Sequence, residues 1–223
     1  IKYKLLLSKI YNQKGETIMN EKFIITIGRQ YGSGGRMIGQ KLAKDLNIPC
    51  YDKELLTIAA KESGFSEEIL ETMDEKPTGS FLYSIVAGTY SPNYSGSHLP
   101  LNHKLFLAQF DAIRNIADKG SCVMIGRCAD YALADYNVNC INVFIHADLQ
   151  YRVKRVIEEY GIAPEKAEET IHKTDKQRAS YYNFYSDKKW GAVDHYDITL
   201  DSGKLGIDNT VEMIKYFVSL NQN

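Results

Sequence analysis

Cysteine is scarce: 223 residues carry four, Cys50, Cys122, Cys128 and Cys140, and no two form a C-x-x-C pair. That excludes a disulfide framework. Cys50, Cys122 and Cys140 lie in apolar runs, so they are expected as reduced core thiols of a cytoplasmic protein rather than as zinc ligands. Long apolar runs are missing too, since charges interrupt every stretch well before the roughly 20 residues that a membrane span requires. Charge of one sign is also not in excess. With a formal net charge of −1, the chain has no general attraction for nucleic acid or a membrane surface. The expected partner is a small molecule, and a local basic cluster suits a phosphorylated one.

What is present is a globular composition, with 44% hydrophobic, 25% charged and 11% aromatic residues. This apolar content closes the core of one sizeable domain or two small ones, and it excludes disordered, collagen-like and coiled-coil chains. Ile1 to Ile18 stand apart. They are basic, and their one apolar run, Leu5-Leu6-Leu7, is short for a signal sequence and is followed by no small-residue cleavage site. Lys14-Gly15-Glu16 can be encoded by a purine-rich, ribosome-binding-like stretch, and Met19 follows at about the expected gap. Residues 1–18 are therefore read as a non-native or disordered extension and 19–223 as one domain.

From Phe23 onward, strand-like and helix-like segments alternate, as in an α/β domain with a parallel sheet. Strands are expected at Phe23–Ile27, Ile48–Tyr51, Cys122–Ile125, Ile141–Ile145 and Tyr196–Leu200. Ile38, Leu42 and Leu46 recur every four residues and predict a helix from Met37 to Leu46 facing the sheet. Further helices are expected at Lys53–Ser63, Ser66–Glu75, from about Leu101 to Lys119, at Leu149–Tyr160, from Pro164 towards Tyr182, and at Thr210–Leu220. Pro77 to His103 collects Gly, Ser, Pro, Asn and Tyr without periodicity and is expected as an irregular excursion. The sum is a three-layer fold with a five-stranded parallel sheet flanked by helices.

The first strand runs into Gly28-Arg29-Gln30-Tyr31-Gly32-Ser33-Gly34-Gly35-Arg36 and then into a helix. Glycines there let the backbone turn its N–H groups inward, and the helix N-terminus adds partial positive charge, so phosphate is the natural ligand. Two cofactor classes compete for it. Read as G-x-x-x-x-G-K-[ST], the loop is degenerate: Arg29 stands at the first glycine, Gly35 at the lysine and Arg36 at the next position. Read as G-x-x-x-G-x-G at Gly28, Gly32 and Gly34, with Asp52 as ribose-binding acid, it resembles a short-chain reductase loop for NAD(P). That class also needs Tyr-x-x-x-Lys, for which Tyr185 and Lys189 are the candidates.

The second half carries several arginines suited to phosphoryl transfer, which needs the phosphates positioned and their charge neutralised. Arg127 follows Gly126 at a strand end, the edge of the sheet where α/β proteins bind ligands. Arg152 and Arg155 share a helix face. Asp175 and Arg178 do likewise on the following helix, and the acid is expected to hold that guanidinium in a productive pose. The two helices around Gly161-Ile162-Ala163-Pro164 suggest a lid over about residues 149–190.

Taken in order, Gly32-Ser33-Gly34-Gly35-Arg36, Tyr51-Asp52, Gly126-Arg127, His146-Ala147-Asp148 with Arg152, Asp175-Lys176-Gln177-Arg178 with Tyr181-Tyr182, and Tyr196-Asp197 before Leu200-Asp201 resemble the cytidylate kinase-like proteins. These are relatives of the P-loop nucleoside monophosphate kinases, and the resemblance runs from about Phe23 to Leu220. It implies a P-loop kinase-like fold and the use of ATP and Mg²⁺. Arg29 and Gly32 to Arg36 would hold the ATP phosphates. Arg36, Arg127, Arg152, Arg155, Asp175 and Arg178 would form the catalytic set, with Asp175 and Arg178 on the acceptor side. Ser33, the only hydroxyl within Gly32–Arg36, and Asp52 would face the metal. The implied activity is phosphoryl transfer to a CMP-like nucleotide or a related phosphorylated metabolite. A non-catalytic nucleotide-binding regulatory module is the second reading, and the NAD(P) reductase the third.

Overall fold

The structure is a computed structural model, and it describes residues 22–64 and 101–221. The extension 1–18, the helix expected at 66–75 and the irregular segment up to residue 100 lie outside the described residues.

Strand β1 (Phe23–Arg29) is buried almost throughout because its run of β-branched residues has a helical layer to pack against on either side. It pairs in parallel with β3 (Cys122–Ile125) on one side and β4 (Asn139–His146) on the other. Strand β2 (Cys50–Tyr51) adds outside β3, and β5 (Ile198–Asp201) outside β4. The order β2-β3-β1-β4-β5 makes a five-stranded sheet, parallel throughout.

Phe23, Ile25 and Ile27 alternate onto one face with Val123, Ile125, Val143 and Ile145. There they meet helix α1 (Gly35–Leu46) through Ile38, Leu42 and Leu46, and the closing helix α7 (Ser202–Leu220) through Val211, Ile214 and Val218. Each of these apolar side chains contributes roughly 1.5–3 kcal/mol by full burial. On the opposite face, Ile24 and Met124 pack with Ile113, Ile116 and Ala117 of α3 (Leu101–Lys119). Leu55 of α2 (Glu54–Ser63) and Ala129 and Ala132 of α4 (Ala129–Ala132) complete that layer. Helices α5 (Leu149–Tyr160) and α6 (Pro164–Ser186) form a hairpin sealed by Val156, Ala167 and Ile171, with Tyr31 of the glycine-rich loop against it.

The main departures from the periodicity have local causes. Helix α7 begins eight residues before the expected Thr210, because the Asp201 carboxylate caps it by accepting from Gly203 and Lys204 N–H at 3.0 and 3.2 Å. Gly206 then breaks its backbone at φ 75°, which hides the apolar spacing of the first turn. Helix α3 starts at Leu101 and so takes in the last residues of the expected irregular segment. Helix α4 is only four residues long, too short to show a period.

Candidate functional site

The C-terminal ends of the strands bring the glycine-rich loop, Asp52, Arg127 and the α5–α6 hairpin to one edge of the sheet. Gly32 and Gly34 both sit at φ 80°. A Cβ at Gly32 would lie 2.9 Å from the Arg152 carbonyl oxygen, and one at Gly34 would lie 2.5 Å from Ile207 Cδ1. Gly32 therefore requires glycine for backbone angle and for space, and Gly34 for backbone angle. Ser33 is fully buried: its hydroxyl donates to the Gln30 carbonyl at 2.8 Å, and its own carbonyl accepts from Ser202 Oγ at 2.6 Å.

Two arginines of α5 reach the loop. Arg152 Nη1 donates to Asp175 at 2.5 Å and to the Tyr31 carbonyl at 3.3 Å. The other oxygen of Asp175 accepts from Tyr31 N–H at 2.7 Å. Asp175 therefore pairs with Arg152, where the sequence suggested Arg178, because α5 packs beside α6 and presents its arginine to that carboxylate. Arg155 lies over the loop, its Cζ and Nε each 3.5 Å from where a Gly34 Cβ would be. Nε and Nη2 of Arg155 and Nε of Arg152 are buried with no hydrogen-bond partner among the described residues. Buried donors of this kind are costly unless an acceptor arrives, and an oxyanion supplies the strongest one.

On the other side of the loop, Gly126, Arg127 and Cys128 follow one another in left-handed conformation, at φ 74°, 55° and 54°. For the two non-glycine residues this costs roughly 1–2 kcal/mol each. The turn sends the Arg127 side chain back under the strand ends, where Nη1 donates to the Ile125 carbonyl at 2.9 Å and pairs closely with Asp52. Arg36 Nε holds the second oxygen of Asp52 at 2.7 Å. One buried carboxylate is thus clasped by two guanidinium groups, one buried and one half-exposed.

Between these groups lies a cleft of about 290 Å³. Among the described residues, five cationic side chains, Arg29, Arg36, Lys53, Arg127 and Arg178, line it, with Asp52 as the one carboxylate. Arg178 Nη1 donates to the Arg29 carbonyl at 3.2 Å, and its guanidinium lies 5.5 Å from the Tyr31 ring centre. Arg29, Arg127 and Arg178 also line a narrower recess beside it, walled by Tyr181, Tyr182, Trp190 and Tyr196. In that recess the Tyr182 hydroxyl donates to Asp130 at 2.5 Å. Burial raises the Asp130 carboxyl above its ordinary range, and it drives the Tyr182 and Tyr196 hydroxyls upward too.

Sequence reasoning did not find Asp130, Trp190 or Tyr196 as site residues; Tyr196 stood in a motif already noted but was given no role, and Asp130 and Trp190 had only their nearness in the chain to such motifs. The cysteines behave as core thiols: no disulfide joins them, and burial pushes Cys50 to about 11 and Cys122 and Cys140 to about 12.

A phosphate fits this arrangement, since the exposed need of the site is for acceptors. Magnesium does not fit the two donors assigned to it. Ser33 turns its hydroxyl inward, Asp52 is shared between two guanidinium groups, and no cluster of three or more His, Cys, Asp or Glu suits a metal among the described residues. The reductase reading fails on two counts. The strand order is not the 3-2-1-4-5-6 of dinucleotide-binding sheets, and Tyr185 is stacked on Phe106 at 3.9 Å inside an aromatic cluster.

A parallel sheet of this order, with a glycine-rich loop from the central strand into α1 and an arginine-bearing hairpin over it, is a P-loop kinase-like fold. Residues 24–204 match the model of the cytidylate kinase-like family, and the chain belongs to that family. It is similar to the crystal structure of an uncharacterized protein from Eubacterium ventriosum, with 33% identity, a TM-score of 0.67, and coverage of 88% of this chain and 98% of that one. Shikimate kinase from Bacteroides thetaiotaomicron matches at 12% identity and a TM-score of 0.49, over 88% of this chain and 98% of that one. Shikimate kinase from Acinetobacter baumannii matches at 11% and 0.48, over 91% and 96%. No curated protein matches the sequence. No helix among the described residues is long and apolar enough to cross a membrane.

Proposed function

We propose that the protein transfers a phosphoryl group from ATP to a nucleoside monophosphate, CMP-like, or to a related small phosphorylated metabolite. The observation that carries this reading is the convergence of Arg36, Arg127, Arg152, Arg155 and Arg178 on one glycine-rich loop. Bound ATP supplies the phosphoryl group. The loop backbone from Gly32 to Gly35 holds its phosphates, with Arg155 above them. Arg152, oriented by Asp175, stands at the lid side of the loop. Arg127 and Arg178 face the acceptor side, where they line both the cleft and the aromatic recess. Since the reaction needs little covalent assistance, fixed guanidinium groups in a water-excluding cleft are the protein's main contribution. The α5–α6 hairpin, residues 149–190 with its C-terminal turn, acts as the lid on a single catalytic domain.

A second reading, a nucleotide-binding regulatory module without efficient transfer, is favoured by Gly35 at the position of the P-loop lysine. The two separate in an assay of ADP formation from ATP and Mg²⁺ against a panel of nucleoside monophosphates. Catalysis predicts ADP release that depends on one acceptor; nucleotide binding without acceptor-dependent ADP selects the module. In the catalytic case, Arg178→Ala lowers the acceptor-dependent rate by about 100-fold or more. The hydrogen bond to the Arg29 carbonyl that the variant loses is worth about 1 kcal/mol of stability. An unchanged rate in the folded variant removes Arg178 from the site.

A further inference from the structure

We infer that this site takes the nucleotide polyphosphate free of divalent metal, and that Arg36 occupies the place of the cation. The inference rests on the nucleotide-phosphate reading of the loop and adds to it the charge state of the ligand. Three observations converge. In the pattern G-x-x-x-x-G-K-[ST], the residue aligned with Arg36 supplies the hydroxyl that binds Mg²⁺, so here a fixed cation replaces a metal ligand. The carboxylate that lines the cleft, Asp52, is already neutralised by Arg36 Nε at 2.7 Å and by buried Arg127. The Ser33 hydroxyl, the only one within Gly32–Arg36, is spent on the Gln30 carbonyl.

The field points the same way. Among the described residues, five cationic side chains against one carboxylate line the cleft, and the buried donors of Arg155 and Arg152 add demand for negative charge. A dication entering there would be repelled by these groups, whereas the same groups attract an unmetallated polyphosphate, which carries two more negative charges than its magnesium complex.

Calorimetric titration with ADP, once in EDTA and once in excess Mg²⁺, tests this. Wild type is expected to bind in EDTA at least as tightly as in Mg²⁺, within about twofold. Arg36→Ser, which restores the metal-binding hydroxyl, should bind about tenfold more weakly in EDTA and recover when Mg²⁺ is added. Arg36→Lys keeps the charge and should retain metal-free binding. Because the Arg36 side chain is half-exposed, neither variant opens a cavity, and melting curves confirm folding. Wild-type binding that tightens about tenfold on adding Mg²⁺ overturns the inference while leaving the nucleotide site in place. So does an Arg36→Ser variant indistinguishable from wild type. No ADP binding in either medium overturns both the inference and the phosphate reading beneath it.

Discussion

Asp52→Ala is expected to destabilise the fold by about 3–5 kcal/mol, although it removes one small side chain at the rim of a cleft. The reason is what it leaves behind. Arg127 is only 4% exposed and its backbone is held at φ 55°, so its guanidinium cannot swing out to solvent when the Asp52 carboxylate goes. The second partner behaves differently. Arg36 is 51% exposed, and Arg36→Ala should cost less than about 1 kcal/mol, as exposed ion pairs do. Urea denaturation of the two variants side by side measures the contrast. Equal losses would mean that Asp52 and Arg127 do not form the buried pair described.

Gly32→Ala is expected to cost roughly 2–5 kcal/mol and to abolish phosphate binding, by two additive effects. An alanine held at φ 80° is strained by about 1–2 kcal/mol. Its Cβ would also lie 2.9 Å from the Arg152 carbonyl oxygen, a backbone atom that moves only if α5 moves, at an overpacking cost of roughly 1–3 kcal/mol. The cheaper escape is to lift the hairpin, which separates Arg152 and Arg155 from the loop. Gly161→Ala is the control: it shares the left-handed angle, at φ 66°, but nothing lies within 4 Å of its added methyl group. That variant should lose only about 1 kcal/mol and keep ligand binding. Hydrogen exchange across α5, alongside denaturation, distinguishes the two; matching behaviour would show that the loop–hairpin contact carries no weight.

Much of the fold was legible because its core elements have clean periods. The continuous β-branched run at Phe23–Ile27 marks a strand buried on both faces, and Ile38, Leu42 and Leu46 mark the helix over it. The loop and its arginines were legible as chemistry, since glycine spacing and guanidinium groups have few other uses together. The pairing of those groups was not legible. That Asp175 serves Arg152, or that Asp52 is clasped by Arg36 and Arg127, depends on how α5 packs beside α6 and on a left-handed turn at Arg127 that no sequence rule predicts for arginine. The inward turn of the Ser33 hydroxyl is equally a tertiary result, set by the carbonyl of Gln30. Asp130, Tyr182 and Tyr196 come together from a four-residue helix, a long helix and the approach to the last strand, which leave no shared spacing to read.

The central claim is that the glycine-rich loop and the arginines of the hairpin hold a nucleotide's phosphates, and a crystal structure with ADP bound tests it most directly. The account predicts the β-phosphate on the backbone N–H groups of Gly32 to Gly35, with the buried donors of Arg155 now paired to its oxygens. ADP seated instead in the groove between the ends of β4 and β5, beside His146 and Lys204, with the Arg155 donors still unpaired, would contradict it.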